Sequence, residues 1–224
     1  MNQRTNLALS TMALMYMLSS VAVAQNGGGQ VMPPSARPHG FSLTEMARLT
    51  APFTTSSNDP VFYPATPFQI LYYKTQMCGP PLPDTVVCTG DNSFSVRPGT
   101  MFYVPIFNAD DSRPVFGDFP EPPTTSSQVV FYWSDPSQLG FLKETAITVD
   151  GQTTPIPTAY LVGPIMAQLE DGTGTHIITL GAFLTPLSTG KHTVTIQAKA
   201  TGNPIMEFFG GLFEEMFTYT VTVE

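Results

Sequence analysis

The chain has 224 residues and a formal net charge of −8 at pH 7, with 17 acidic against 9 basic side chains. Such an acidic surface excludes nucleic-acid binding, which needs clustered Lys and Arg, and it disfavours anionic lipid. With 42% apolar and 12% charged residues, the sequence indicates a folded domain rather than a disordered chain.

The N-terminus has the layout of a secretory signal peptide. Arg4 supplies a positive charge, the apolar run Met12–Leu18 follows, and Ala22 and Ala24 are the small residues of a cleavage site. The run is too short for a membrane span, which needs about 20 apolar residues. We predict a signal peptide over residues 1–24, a secreted or periplasmic protein, and no integral membrane segment after cleavage. A retained membrane anchor is the alternative.

Residues 25–65 are rich in Pro, Gly and Ser and predict a flexible N-terminal tether. Within it, Ser42 and Glu45 have the spacing of a capping box, so a short N-terminal helix is expected over residues 43–50, ending before Pro52. Two helical turns are not stable alone in water, so this helix needs the surface of the following domain.

Two cysteines, Cys78 and Cys88, lie close together in the sequence. In an exported chain this arrangement predicts one disulfide bond that closes a small loop. The alternative, a thiolate metal site, lacks both the C-x-x-C spacing and a neighbouring histidine.

Short β-type segments separated by turns fill residues 66–224. In the segment from His192 to Lys199, apolar and polar residues alternate, as in a half-buried strand. Residues 128–133 (QVVFYW) are predicted as a strand covered on both faces, which places Trp133 in the core; stacking on a sugar is the alternative. The pattern predicts an all-β fold, specifically an antiparallel β-sandwich of Ig-like or jelly-roll-like type.

Four motifs in this region occur in a fixed order: SVRPGTMFYVPIFN, ITVDGQ, AFLTPLSTGKHTVTIQA and FTYTVTVE. They resemble a family of uncharacterised secreted bacterial β-sandwich proteins. That family shows a Pro-Gly turn before a strand ending P-x-x-N, a V-D-G hairpin, a P-L-x-x-G-x-H-T strand and a C-terminal Y-x-V-T-V strand. The chain departs from it after the hairpin, where VGPIM replaces a Ser-Pro-aromatic sequence. The resemblance implies a secreted β-sandwich with no assigned activity.

Two histidines, His176 and His192, stand at the ends of core-facing rows of predicted strands. We expect them to be bonded to backbone or neighbouring loops. The alternative is a general base or a metal ligand, which makes a secreted hydrolase the second functional hypothesis. No G-x-S-x-G nucleophile motif accompanies them.

An acidic loop contains the candidate calcium ligands. Calcium prefers six or more oxygen ligands, which acidic loops of exported proteins can supply. This loop lacks the D-x-D-x-D-G spacing, so a solvated loop is the alternative, and no other cofactor is expected. The candidate ligands are Asn108, Asp110, Asp111 and Asp118.

Residues 204–217 (PIMEFFGGLFEEMF) carry apolar side chains at the spacing of one helical stripe. Gly210 and Gly211 each oppose a helix by about 1 kcal/mol, so we expect a broken helix or a loop that closes one end of the sandwich. The alternative is a docking surface for a partner or an apolar ligand. Its candidate residues are Phe208, Phe209, Leu212 and Phe213.

Together these features favour a secreted, non-catalytic β-sandwich protein with a binding or envelope-structural role. The alternatives are the hydrolase and an apolar-ligand or lipid-contact module built on residues 204–217. The sequence leaves open whether the partner is a protein, a glycan or an apolar ligand.

Overall fold

The computed structural model describes residues 28–79, 84–141, 144–170, 172 and 174–224, so the predicted signal peptide lies outside the described residues. In the described part, ten strands form two mixed sheets and helices are few, which confirms an all-β fold. None of the helices in these ranges is long and apolar enough to cross a membrane.

The smaller sheet has four strands in the order β1-β4-β8-β7. β1 runs parallel to β4, and the other neighbours are antiparallel. The strands are β1 (Gln69–Ile70), β4 (Phe102–Asp110), β7 (Leu161–Met166) and β8 (His176–Leu184).

The larger sheet has six strands in the order β2-β3-β10-β9-β5-β6. The strands are β2 (Thr75–Cys78), β3 (Thr85–Val96), β5 (Ala146–Val149), β6 (Gln152–Pro155), β9 (Gly190–Ala200) and β10 (Leu212–Val223).

Strand direction departs from the antiparallel prediction at two places. β3 and β10 are parallel along their whole length, from Thr85 opposite Leu212 to Val96 opposite Val223, and β1 is parallel to β4. A short hairpin forces two strands to be antiparallel, but β3 and β10 are separated by residues 97–211 and carry no such constraint.

Both sheets contribute to one buried core. On β9 the alternation predicted from the sequence holds, because Val194, Ile196 and Ala198 are buried while the intervening residues are not. The inward side chains of β4 and β8, such as Val104 and Phe183, belong to the same cluster.

The predicted helix 43–50 is longer than expected and is not at the N-terminus. It is α1 (Leu43–Thr55), which begins with the predicted capping box of Ser42 and Glu45 and continues through Pro52. Phe53 is fully buried, and its ring contacts Tyr63 at a centroid distance of 5.2 Å. Burial of this side chain stabilises the last turn although Pro52 removes one backbone hydrogen bond.

The predicted flexible tether packs against the domain over its described part. Val31 forms a bridge with Leu184 at the end of β8, and the Met32 amide donates to the Phe183 carbonyl at 2.9 Å. The Tyr160 hydroxyl also donates to the Met32 carbonyl at 2.8 Å. These bonds satisfy backbone groups that a Pro- and Gly-rich segment cannot pair internally.

Residues 128–133 are helical, so the predicted strand was wrong. They belong to α2 (Ser126–Ser134), which starts with a capping box between Thr125 and Gln128. The cap selects a helix, and the buried side chains follow the helical spacing i, i+3 and i+4. They are Val129, Tyr132 and Trp133.

Residues 204–217 form two different elements instead of one helical stripe. α3 (Asn203–Phe209) ends at Gly210, whose φ of 77° is left-handed, and β10 begins at Leu212. A Cβ on Gly211 would lie 2.7 Å from the Asp84 carbonyl oxygen, so this close approach requires glycine. Gly210 and Gly211 thus separate a helix, whose side chains return to one face every 3.6 residues, from a strand, whose side chains return every two residues.

The predicted disulfide bond is present. Cys78 on β2 and Cys88 on β3 face each other directly across the antiparallel pair, with an S–S distance of 2.04 Å. The bond therefore fastens the edge strand β2 to the larger sheet.

Candidate functional site

The site is built around a buried carboxylic acid, Glu215 on β10. Alternate residues of this strand face the core, and Glu215 lies in that row between Phe213 and Phe217. Its exposed fraction is 8%. Its neighbours in register are Cys88 on β3 and Ala198 on β9. Within the described ranges, no residue donates a hydrogen bond to its carboxyl group, so burial is the main influence on the pKa of Glu215.

Glu215 lines a cavity of about 350 Å³, which we call the Glu215 cleft. It lies between the end of α1, the chain between β1 and β2, β4 and β10. Its rim includes the exposed Ser57 and the half-buried Asn108, so the cleft opens to solvent. The polar residues of the wall, besides Glu215 and tyrosines, are Thr54, Thr55, Ser57, Asn58, Asn108 and Asp110.

Aromatic rings form much of the remaining wall. In the part of the chain that the structure describes, no Lys, Arg or His lines the cleft, whereas two acidic residues do. The aromatic residues are Tyr72, Tyr73, Phe107, Phe213, Phe217 and Tyr219.

Burial controls the protonation of the cleft. It raises the pKa of Glu215 to about 8, so this carboxyl group is largely neutral at pH 7. Burial and the neighbouring Glu215 also raise the pKa of Tyr73 to about 12. The pKa of Tyr219 is raised by the same two causes. Each phenol therefore keeps its proton and remains a hydrogen-bond donor.

A glycine on the neighbouring strand allows the aromatic wall to close. Tyr73 packs on Phe217 with a ring-centroid distance of 4.5 Å. A Cβ on Gly90 of β3 would lie 2.9 Å from the Tyr73 Cβ and 3.1 Å from a ring carbon of Phe217. Only a residue without a side chain leaves room for this pair at its observed position.

His192 is a structural group in this fold. Its Nδ1 lies 2.7 Å from Asp150 Oδ2, and its Nε2 lies 2.8 Å from the Ser188 carbonyl oxygen. Both partners are acceptors, so the protonated ring can donate to both of them. Burial lowers the pKa of His192, but its bonds to Asp150 and Ser188 outweigh burial and raise the pKa above its ordinary value. Nε2 is thus closer to the Ser188 carbonyl oxygen than to the Ser188 hydroxyl oxygen, which is 3.4 Å away.

His176 is also paired with an aspartate. Its Nδ1 lies 3.1 Å from Asp111 Oδ2. Asp111 Oδ1 accepts from the backbone amides of Thr175, at 2.6 Å, and of His176, at 2.8 Å. Asp111 thus ties the end of β4 to the start of β8.

The four candidate calcium ligands do not converge on one point. Asn108 and Asp110 line the Glu215 cleft, Asp111 pairs with His176, and Asp118 accepts from the Gln138 side chain at 3.1 Å. Among the described residues, no group of three His, Cys, Asp or Glu side chains is placed to hold a metal ion.

The candidate apolar patch is divided between surface and interior. Phe208 on α3 is 59% exposed, whereas Phe213 on β10 is buried. Phe209 stacks on Phe213 at 4.6 Å, and Leu212 is half-buried. The patch therefore reaches solvent mainly through Phe208.

A second cavity, of about 550 Å³, lies beside α2. Its wall is mostly apolar and includes Trp133, Phe141, Ile156 and Leu180. Trp133 is 2% exposed and stacks on Phe141 at 4.5 Å, so the predicted core position of Trp133 is confirmed.

Sequence reasoning missed the burial of Glu215, although a signal for it exists. Counting back in steps of two from Val223 gives Val221, Tyr219 and Phe217, and then Glu215 in the same inward row. The apolar spacing of residues 204–217 also fits one stripe of a helix, and Glu215 lies mostly off that stripe.

Comparisons with known proteins do not assign the chain to a family. No protein-family model matches it, and no curated protein matches it. A chain from the solved "Structure of PbICP-C in complex with falcipain-2" is 16% identical, with 71% of this chain and 100% of that chain covered. Its TM-score is 0.25, which is too low to carry an argument about fold or function.

Proposed function

We propose that the chain is a secreted or periplasmic, non-catalytic binding protein of the β-sandwich type, and that the Glu215 cleft is its ligand site. The observation that carries this proposal is Glu215, which is buried, lines a solvent-connected cavity and accepts no hydrogen bond from any described residue. An acid in such a place is energetically unfavourable unless another group binds to it. The disulfide bond supports export, because such bonds persist in oxidising compartments.

The partners of His192 favour binding over hydrolysis at that residue. Both of its ring nitrogens lie within hydrogen-bond distance of acceptor oxygens. A general base must present a free lone pair within hydrogen-bond reach of the nucleophile. His192 does not meet this condition towards Ser188.

Nuclear magnetic resonance of the ¹⁵N-labelled protein tests the proposal. The probes are choline, methyl glucoside and sodium benzoate, which represent a cation, a neutral polyol and an anion. We expect at least one probe to shift amide signals around the cleft, and Glu215→Leu to abolish those shifts. Glu214→Gln is the matched control, since Glu214 lies on the opposite face of β10 and accepts from Gln197. Shifts confined to other regions, or no shift with any probe, would overturn the proposal.

The cavity beside α2 supports a second candidate, the binding of an apolar ligand. The sequence hypothesis placed such a module on residues 204–217, but the mostly apolar cavity lies beside Trp133. Because this is the only tryptophan in the chain, its fluorescence reports on that cavity alone. We expect n-octanol to change the emission equally in the wild type and in Glu215→Leu; no change at saturating octanol contradicts this candidate.

A further inference from the structure

We propose that the Glu215 cleft selects a compact organic cation of the ammonium type. This inference rests on the proposed function, since it names the ligand class of the same site. It follows from three properties of the wall: the sign of its charged groups, its aromatic rings and the unpartnered acid.

Apart from the tyrosines, the ionisable side chains of the described wall are all acidic. Asp110 and Glu215 are the ionisable carboxyl groups of the lining, and the described wall contains no basic side chain. An anionic ligand would therefore meet acidic side chains and no basic one among the described residues of the wall, whereas a cation can pair with the carboxylate of Glu215. The net charge of −8 adds long-range attraction for cations.

The aromatic wall suits an ammonium ion. The faces of aromatic rings carry negative partial charge and attract cations within about 6 Å of the ring centre, most strongly where water is excluded. Tyr73 and Phe217 are already packed together at 4.5 Å, so the rings need little ordering when a ligand enters. A cavity of about 350 Å³ lies at the small end of ligand sites, which fits a compact molecule.

The unpartnered acid couples binding to proton release. When the cation enters, the O–H bond of the Glu215 carboxyl group breaks, its proton passes to solvent water, and the carboxylate that remains is paired with the ligand. The titratable groups around Glu215 in the described structure are Tyr72, Tyr73, Tyr219 and Asp110, and its register partners on β3 and β9 are a disulfide cysteine and an alanine. The raised pKa of both Tyr73 and Tyr219 keeps these two phenols from supplying the negative charge.

A neutral polyol predicts a different behaviour. It would use the protonated Glu215 as a donor, so its affinity would be level up to the pKa of Glu215, about 8, and would fall above it. The affinity for a cation instead rises as pH approaches this pKa from below and is level above it. The direction of the pH dependence therefore separates the two ligand classes.

Isothermal titration calorimetry with choline tests the inference, because choline keeps its charge at every pH used. We expect choline to bind the wild type at least about tenfold more tightly at about pH 8.5 than at about pH 6, since each pH unit below the pKa reduces the carboxylate fraction about tenfold. The neutral isostere 3,3-dimethylbutan-1-ol should bind more weakly and show no such rise. The heat of choline binding should differ between phosphate and Tris buffers, as proton release requires.

Two variants complete the experiment. Glu215→Gln keeps the shape but cannot ionise, so choline should bind it equally at both pH values, at the wild-type level of about pH 6. Glu214→Gln should retain the full pH dependence. Equal affinity for choline and its isostere, or a pH dependence that survives in Glu215→Gln, would overturn the inference. If methyl glucoside or benzoate binds in the cleft and choline does not, the proposed function stands and the cation inference fails; if no probe binds there, both fail.

Discussion

The acidic residues of this protein fall into two groups that differ in their partners. Asp111 and Asp150 each accept a backbone amide and bond to a histidine. Burial opposes their ionisation, but these bonds outweigh burial and lower the pKa of both carboxyl groups. Glu215 has no such partner in the described structure, and burial alone raises its pKa to about 8.

This difference separates structural acids from the candidate functional acid. The two aspartates connect neighbouring elements: Asp150 joins the β5–β6 hairpin to β9, and Asp111 joins β4 to β8. Their charge is satisfied within the fold, so they need no ligand. Burial disfavours the charged form of Glu215, and an acid whose pKa is shifted in a cleft is a feature expected of a binding site.

The largest expected effect is the pH dependence that Glu215 imposes on stability. Between about pH 4.5 and pH 8 the folded state holds a proton that the unfolded state has released, so the free energy of unfolding falls as pH rises through this window. At about 1.4 kcal/mol per unit of pKa difference, the fall is at most about 4–5 kcal/mol. Glu215→Gln should remove this component, as measured by urea unfolding across the window.

The matched control for that experiment is Glu214→Gln, which should leave the slope of stability against pH unchanged because Glu214 faces the other side of β10. Parallel curves for the wild type and Glu215→Gln would mean that Glu215 is ionised and solvated like an ordinary glutamate.

Removal of the disulfide should have the next largest effect. Replacing Cys78 and Cys88 by serine should lower the free energy of unfolding by about 2–3 kcal/mol, since the bond closes a short loop. Cys88 also stands opposite Glu215 in register, so loosening of β3 should admit water and bring the pKa of Glu215 closer to 4.5. The same urea experiment measures both effects. If the free energy of unfolding falls by the expected amount but its slope against pH is unchanged, the cleft does not depend on this bond.

Gly90→Ala should have an intermediate effect that is centred on the cleft. The new methyl group would lie 2.9 Å from the Tyr73 Cβ and from the Thr75 carbonyl oxygen, so the segment Tyr73–Thr75 or β3 must shift and disturb the packing of Tyr73 on Phe217. Such overpacking costs about 1–3 kcal/mol. Choline affinity should fall together with stability. Gly99→Ala is the comparison for an uncrowded site outside the cleft, because no atom lies within 4 Å of a Cβ there; its left-handed φ of 84° adds local strain. Full choline affinity in Gly90→Ala would contradict the proposed aromatic wall.

The smallest effect is expected for the structural pair. Asp150→Asn removes the charge partner of His192, and Asp150 is 50% exposed, so the loss should be under about 1 kcal/mol. The raised pKa of His192 means that the pair stabilises the fold fully below the ordinary value of 6.5 and loses this contribution as pH rises through the folded-state pKa. The loss should therefore be larger at about pH 5.5 than at about pH 9, as measured by urea unfolding. An equal loss at both pH values would show that the histidine charge plays no part.

Local features could be predicted from the sequence, whereas features that depend on distant segments could not. The capping box of Ser42, the Cys78–Cys88 bond and the alternation of β9 are each encoded within a few residues. α2 was misassigned because its run of apolar residues fits a buried strand as well as a helix, and only the cap at Thr125 distinguishes the two. The parallel pairing of β3 with β10 has no local signal.

The Glu215 cleft shows the same limit. Its wall comes from four separate parts of the chain, so no single sequence motif predicts the cleft. Glu215 lies near the start of β10, shortly after the chain changes from the helix α3 to a strand at Gly210 and Gly211. The inward direction of Glu215 follows only if the strand that ends at Val223 is known to extend back past residue 215.

The most direct test is the titration of Glu215 itself, followed through its side-chain carboxyl carbon by ¹³C nuclear magnetic resonance and assigned by the loss of the signal in Glu215→Gln. Our account predicts a midpoint of about 8 in the ligand-free protein and a lower midpoint with choline bound. A midpoint near the ordinary value of 4.5, unchanged by choline, would contradict it.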